Sequence, residues 1–317
     1  MLSRTLEQRR PFAVDLRQYM VYIGFVVLFL FFAVTLRDAG FLNPNNLLNI
    51  VRQTAIIATM AVAMTFVIAA GQIDLSVGAI AGLSSVTAAM AIQRWGPVAG
   101  IAVGVLTGLV VGAANGLLVT RLVIPSFLVT LGMMGVARGV AMRITDTAPV
   151  PILDDRYNDV FGSGNLGPIP SLLLWIAVVT AVGYVVLRKT AYGRQVLATG
   201  GNARAARFSG VDTQKIGFLV LTVSGVVAAL AGMLYAGRLQ SGRFQWGEGD
   251  ELSVIAAVVL GGTSLFGGSG SVLGSVIGAL LIGVVNNGLI LMGLESSEQI
   301  IIRGGIIILA VALARRR

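Results

Sequence analysis

The chain has 317 residues, of which 56% are hydrophobic and only 12% are charged, whereas a soluble globular protein carries about 25% charged residues. This deficit of charged residues extends over nearly the whole length and, with a mean hydropathy of +0.88, indicates a polytopic membrane protein. In such a protein, cytoplasmic Lys and Arg explain the net charge of +9 without any nucleic-acid partner. Because the chain contains no Cys and no His, we expect no disulfide and no metal site, and a metalloenzyme or a hydrolase is disfavoured.

The apolar pattern predicts an all-α membrane domain over residues 20–314. Residues 1–19 are polar and basic, and the run after them lacks a small-residue cleavage site, so it is interpreted as a retained helix rather than a signal peptide. A basic end follows at 315–317. About ten membrane spans are predicted from the length of the apolar runs: 20–36, 48–70, 75–92, 97–119, 124–144, 170–187, 216–236, 251–264, 271–293 and 300–314.

Three polar segments interrupt this pattern, at 145–169, 188–215 and 237–250. Ten spans place both termini on the same side as 188–215, together with most of the 23 Lys and Arg, whereas most of the 14 acidic residues fall on the other side. By the positive-inside rule the termini and 188–215 are predicted to be cytoplasmic. Segments 145–169 and 237–250 are then predicted to be periplasmic loops.

Two glycine-rich stretches mark breaks in the helical pattern. Residues 71–82 read GQIDLSVGAIAG and contain Asp74, and residues 268–278 read GSGSVLGSVIG. A carboxylate at the centre of a span costs about 2.5–3.5 kcal/mol, so it is expected to meet a partner or an aqueous cavity. Paired interrupted segments in the two halves predict an inverted repeat around a transport pathway. Asp74 is placed either to cap the third span or to gate that pathway, and the sequence leaves both roles open.

The polar segment 188–215, which is rich in Lys and Arg, contains a second distinctive stretch, GGNARAARFSGV at 200–211. Ala203 to Phe208 favour helix, Asn202 is a plausible N-cap, and Gly210 a plausible stop. Because a two-turn helix is not stable alone, we expect it to dock against a partner protein. The alternative is a solvated basic loop near anionic lipid.

The motif at 71–78 resembles the Gly-Gly-Ile-Asp-Leu-Ser-Val-Gly signature of the monosaccharide permeases of bacterial ABC importers, and most closely their ribose branch. Further similar segments lie at 45–50, 60–65, 200–202, 256–265 and 286–289. One departure is Gln72, which stands where the family has Gly and places a polar side chain beside Asp74.

This resemblance implies an assembly in the bacterial inner membrane. Two copies of the permease would form the pathway in contact with lipid, a cytoplasmic ATPase would bind ATP and Mg²⁺, and a periplasmic sugar-binding protein would deliver the substrate. No cofactor is expected in the chain itself.

The resemblance also implies roles for particular residues. The stretch 205–210 is similar to the coupling loop of importer permeases, although Arg204 stands where the widest form of that motif has an acid. The residues expected to couple to the ATPase are Gly201, Asn202, Arg204, Ala205, Ala206, Arg207 and Gly210. Charges on the periplasmic loops, Arg156, Arg238 and Arg243 foremost, are the candidates for docking the binding protein.

Few polar side chains occur at the predicted membrane depth. Sugar hydroxyl groups need paired donors and acceptors, so these side chains suit a sugar pathway, although polar residues also join membrane helices to one another. The pathway or gate candidates are Gln72, Asp74, Ser76, Asn115, Thr263, Ser264, Asn286 and Asn287, and Thr130 and Arg138 lie at the same predicted depth.

We therefore expect a permease subunit that imports a monosaccharide, a pentose such as ribose, by alternating access. The chain has no Walker-type phosphate-binding loop, so it is not the ATPase, and it does not resemble an enzyme. The alternative is a secondary transporter that uses Asp74 as a proton or cation site. An intramembrane enzyme lacks the second carboxylate that an acidic dyad requires.

Overall fold

The computed structural model describes residues 20–314, and over that range the chain is almost entirely helical. The helices are α1 (Met20–Thr35), α2 (Pro44–Ala69), α3 (Val77–Trp95), α4 (Pro97–Arg121), α5 (Ser126–Thr145), α6 (Asp155–Phe161), α7 (Ser171–Lys189), α8 (Ala191–Gly201), α9 (Ala203–Phe208), α10 (Thr213–Arg238), α11 (Asp250–Leu260), α12 (Val272–Leu291) and α13 (Ser296–Ala314). Two short antiparallel pairs complete the fold: β1 (Val150–Pro151) with β4 (Ser241–Gly242), and β2 (Asn165–Leu166) with β3 (Ile169–Pro170).

A helix lies at each predicted span, and the chain is a polytopic, mostly helical membrane protein. Six helices of the described range are long and apolar enough to cross a membrane: α2, α4, α5, α7, α10 and α12. Helix α11 has 11 residues and is about 16 Å long, roughly half the hydrocarbon thickness. The number of ten crossings and the cytoplasmic side of the termini stay predictions.

Helices α2, α3 and α10 form the centre of the bundle. Most of their residues are buried, whereas α4, α5 and α7 expose apolar side chains such as Val110, Val136 and Val182. Helix α3 is built largely from Ala, Gly, Ser and Thr, because it meets other helices on all sides and needs no lipid-facing surface. Small residues of this kind allow membrane helices to approach closely.

The contact between α4 and α10 illustrates this packing. Glycines recur every fourth residue on the buried face of α4, from Gly104 to Gly116. A Cβ added at Gly108 would overlap the carbonyl oxygen of Gly225 on α10. The two backbones are therefore in van der Waals contact at this crossing.

The segment 145–169, predicted to be a loop, is a folded cap that contains the short helix α6. The Tyr157 hydroxyl donates a hydrogen bond to the Met233 carbonyl oxygen at 3.2 Å. The ring of Phe161 stacks on Trp175 of α7, with centroids 5.2 Å apart. These contacts fix the cap to α7 and α10.

The loop predicted over 237–250 lies between α10 and α11, and part of it extends from the rim into the bundle. Residues 241–249, here named the re-entrant segment, run along α3 towards its first turn. The segment fits there because Gly78, Gly82 and Ser85 leave a groove on α3 that its backbone fills.

Candidate translocation pathway and coupling site

Asp74 lies in the non-helical break between α2 and α3 and is completely buried. Its Oδ1 accepts hydrogen bonds from the backbone N–H of Ser76 at 2.9 Å and from the Ser76 hydroxyl at 2.6 Å. Its Oδ2 accepts from the Ser224 hydroxyl of α10 at 2.8 Å, and the Asn115 amide of α4 donates to Ser76 Oγ at 2.9 Å. The carboxylate therefore joins the first turn of α3 to α10 and, through Ser76, to α4.

The first turns of α5 satisfy the backbone of this break. The Ser126 hydroxyl accepts from the N–H of Ile73, and the Thr130 hydroxyl accepts from the N–H of Leu75, both at 3.0 Å. Unpaired backbone groups are costly away from water, so these two side chains allow the chain to leave helical form here.

The side chains of Asp74, Ser76 and Asn115 thus lie close together, but they are buried in the interior of the chain rather than exposed on its surface. Sequence reasoning missed Ser224, because a single Ser in an apolar helix usually bonds to its own helix backbone and gives no distinct signal.

The other predicted pathway residues lie elsewhere. Asn287 on α12 exchanges two amide hydrogen bonds with Asn46 of α2, at 2.8 and 2.9 Å, and the neighbouring Asn286 is half-buried. Thr263 and Ser264 lie in the turn before α12, where Thr263 Oγ1 accepts from the N–H of Ser271. Gln72 is half-buried in the break after α2.

The re-entrant segment follows α3 from Ala89 to Gly78. The N–H of Arg243 donates to the Ser85 hydroxyl at 3.2 Å, and this hydroxyl in turn donates to the Arg243 carbonyl oxygen at 3.1 Å. Gly247 packs directly on Gly78, the second residue of α3. The segment therefore travels the length of 11 helical residues, about 16 Å, into the bundle.

The end of the re-entrant segment lies beside the middle of α5 and places charged side chains there. Glu248 pairs with Arg138 at 3.0 Å, and their side chains are 54% and 28% exposed. Glu251, on the first turn of α11, is half-buried, and its Oε2 has no hydrogen-bond partner. Arg138 Nε is likewise buried and unpaired.

A second group of side chains fixes Arg243. Its guanidinium lies over the Trp246 ring, 5.4 Å from the centroid. The indole N–H donates to the Ser241 carbonyl oxygen at 2.8 Å, and the ring stacks on Tyr235 at 6.2 Å. The Tyr235 hydroxyl donates to Asp250 at 2.6 Å. Arg243 is thus exposed but held in place.

The segment 188–215, here named the coupling segment, contains α9 with the bounds expected from the sequence. It also contains helix α8, which the sequence analysis does not predict. Asn202 caps α9 by accepting from the N–H of Ala205 at 2.9 Å, and Gly210 follows with a φ of 85°. Arg204 and Ala205 are exposed, whereas Ala206 is buried. Arg207 Nε donates to the Thr213 hydroxyl of α10, which restrains its side chain. Gly201 ends α8 on the exposed surface.

Helix α8 packs against the end of α2 that the predicted topology places in the cytoplasm. The Tyr192 ring stacks on Phe66 at 6.3 Å, and burial raises the pKa of the Tyr192 phenol to about 12. This apolar contact anchors the segment that carries α9.

The two glycine-rich breaks meet at the end of α8. The N–H of Gly268 donates to the Ala69 carbonyl oxygen at 3.0 Å, which joins the break before α12 to the break after α2. Gly200 lies against both, since a Cβ added there would overlap the Ala69 oxygen and lie 2.8 Å from the Gly268 nitrogen. Gly200 therefore touches both breaks through backbone atoms alone, and the Arg188 guanidinium donates a further hydrogen bond to the Gly270 carbonyl oxygen at 3.4 Å.

The remaining predicted docking residues lie on the opposite side from α9. Arg156 is exposed on α6, and Arg238 is half-buried at the end of α10. Among the described residues 20–314, no group of three or more acidic, His or Cys side chains is arranged to hold a metal ion.

Comparison with known proteins identifies one family. The family described as branched-chain amino acid transport system / permease component matches residues 46–311. The ribose import permease protein of Bacillus subtilis (strain 168) is 41% identical over 318 residues, covering 99% of this chain and 98% of that protein. The ribose import permease protein of Escherichia coli (strain K12) is 37% identical over 322 residues, covering all of both chains. The L-arabinose ABC transporter permease protein of Azospirillum brasilense is 40% identical over 302 residues, covering 94% and 87%. No solved structure matches the chain.

Proposed function

The chain belongs to the family described as branched-chain amino acid transport system / permease component, and we propose that it is the permease subunit of an ATP-driven importer of a monosaccharide, with ribose as the favoured cargo. The observation that carries this proposal is the likeness, over the whole length of both chains, to permeases named for ribose. The chain is a transport component rather than an enzyme, and it is a multi-pass protein of the bacterial inner membrane.

The proposed assembly contains two copies of the chain, a cytoplasmic ATPase and a periplasmic sugar-binding protein. Helix α9 supports the ATPase contact, because it is short, capped by Asn202 and exposes Arg204 and Ala205. A two-turn helix gains stability mainly from docking. Arg156 and Arg238 lie at the opposite end and are proposed to meet the binding protein. ATP and Mg²⁺ would be bound by the ATPase.

Ten crossings with both termini in the cytoplasm are proposed, and the eighth is made of two parts. The re-entrant segment follows α3 for about 16 Å, as far as its first turn, and α11 completes the crossing with about 16 Å of helix. Discontinuous helices of this kind are typical of transporters at the substrate pathway.

Transport is proposed to proceed by alternating access. A movement imposed on α9 by the ATPase would reach α2 and α12 through Gly200, which lies against both breaks. Asp74 is proposed to be an interhelical anchor rather than a helix cap, because its carboxylate accepts hydrogen bonds from Ser76 and Ser224, whereas the N-cap residue of α3 is Ser76 and has no side-chain capping bond. This role does not require Asp74 to carry an ion.

The test is reconstitution of the chain in proteoliposomes with the ATPase and the binding protein encoded beside it. Uptake of labelled ribose is expected to require all three components and ATP, and to persist in the presence of an uncoupler. Uptake by the chain alone, collapsing with the uncoupler, would instead establish a secondary transporter. Parallel assays with arabinose and xylose identify the sugar.

A further inference from the structure

Two charged side chains lie at a depth where the chain is expected to cross the membrane. Arg138 is 12 residues from the start of α5 and seven from its end, so it is about 18 Å and 10 Å from the two ends of that helix. The re-entrant segment places Glu248 3.0 Å from it. The pair therefore sits within the thickness that α5 spans.

This pair is on the outside of the chain, where lipid is not an acceptable neighbour. Glu248 is 54% exposed, and the side chain of Arg243 is exposed as well. Charged residues at membrane depth face a protein interior or a water-filled cavity rather than hydrocarbon. The adjoining face of α5 is open, since a Cβ added at Gly135 or Gly139 would meet nothing within 4 Å.

The chemistry of this face suits a polyhydroxylated ligand. Arg138 and Arg243 supply several N–H donors, and Glu248 supplies carboxylate acceptors. Arg243 is positioned by Trp246, so little entropy is lost when it binds a ligand. Exposed groups bind weakly, as a pathway that must release its cargo requires.

We propose that Arg138, Arg243 and Glu248 line the aqueous pathway and hydrogen-bond the hydroxyl groups of the sugar in transit. This proposal rests on the proposed function for the identity of the ligand, but not for the presence of water. It assigns Arg243 to the pathway, rather than to the docking of the binding protein that the sequence predicts.

The first experiment measures water at the re-entrant segment without reference to transport. The chain has no native Cys, so a single Gln245→Cys thiol, at an exposed position of the segment, has no background. We expect a hydrophilic maleimide to label it in proteoliposomes that are accessible from both sides. Val182→Cys on the exposed apolar face of α7 is the control, and it should stay unlabelled because a thiol in lipid does not ionise. An unlabelled Gln245→Cys would overturn the pathway assignment.

The second experiment separates sugar contact from docking. Glu248→Gln and Arg243→Gln are each expected to lower sugar uptake by the reconstituted complex about tenfold, the loss expected for one hydrogen bond to a charged group. The affinity of the complex for its binding protein should not change. Arg243→Gln is expected to fold normally, because backbone atoms hold this position to Ser85. Arg94→Ala, an exposed arginine outside the pathway, is the control.

Two outcomes would overturn the proposal in the second experiment: weaker affinity for the binding protein with normal uptake per docked complex, or no effect of either variant. If the wild-type complex takes up no monosaccharide while Gln245→Cys is labelled, the proposed function fails and the sugar assignment fails with it, whereas the aqueous pathway stands.

Discussion

Asp74 shows how a buried acid is tolerated in this bundle without a basic partner. Its carboxylate accepts three hydrogen bonds, two from Ser76 and one from Ser224. Hydrogen bonds to a charged group each contribute about 1.5–3 kcal/mol, and those from Ser76 close the turn that begins α3. The same group therefore fixes the turn before α3 and ties it to α10.

The Ser224 hydrogen bond can be tested alone. Ser224→Ala removes one of the three donors and leaves Oδ2 of the buried carboxylate unpaired, which should cost about 1–3 kcal/mol of stability. We expect a lower thermal unfolding midpoint for the purified protein in detergent. Thr222→Val is the matched control on the same helix, because the Thr222 hydroxyl donates only to its own helix at Phe218. Equal midpoints for the two variants would remove Ser224 from the anchor.

Single residues were predictable where the signal is local. Asn202 caps α9 as expected, since an N-cap is set by the residues that follow it within one turn. Ser126, Thr130 and Ser224 act on the break at 70–76 from distant parts of the sequence, and their hydroxyl groups give no such local signal. The sequence thus indicates that Asp74 needs partners but does not identify them.

At the scale of elements, the junction of α8 with the two breaks is the contact that Gly200 makes possible. Gly200→Ala would force the Ala69 carbonyl oxygen away, and overpacking of this kind costs about 1–3 kcal/mol. We expect ATP-driven uptake to fall about tenfold or more, with loss of the stimulation of ATP hydrolysis by the loaded binding protein.

Gly201→Ala is the matched control for this prediction. A Cβ at Gly201 would lie 3.6 Å from its nearest neighbour, Gly268 Cα, and Ala favours the helix that ends there. Although the sequence also assigns Gly201 to the residues that couple to the ATPase, the structure leaves room for this Cβ, so we expect the variant to transport sugar like the wild type. If both variants behave alike, the junction has no part in coupling.

The long apolar helices were predictable from sequence because each is defined by its own hydropathy. Helix α8 and the re-entrant segment were not, for two different reasons. Helix α8 lies in a basic stretch of mixed composition that favours no single structure. The segment 241–249 has the composition of a surface loop, and its position depends on a groove at Gly78, Gly82 and Ser85, about 160 residues earlier.

At the scale of the whole molecule, the two halves meet at their breaks. The hydrogen bond from Gly268 to Ala69 joins the segment before α12 to the segment before α3, and Gly200 covers both. The inverted repeat around a transport pathway stays a prediction. Because Gly200 contacts both breaks, a movement of the end of the bundle that carries α9 would move the two breaks together.

The orientation of that end in the membrane gives the last prediction. With ten crossings and cytoplasmic termini, α9 faces the cytoplasm and the cap around α6 faces the periplasm. Because the chain has no native Cys, single thiols at exposed Ser209 and Ser163 report each side directly. A membrane-impermeant maleimide should label Ser163→Cys in intact spheroplasts, and Ser209→Cys only after permeabilisation, in cells that produce the chain without its ATPase. The reverse pattern would invert the molecule and place α9 where no ATPase can reach it, whereas labelling of both thiols from outside would require an even number of crossings between them. Charge alone predicts the first pattern. Of the three helices between the two positions, α7, α8 and α9, only α7 is long and apolar enough to cross the membrane.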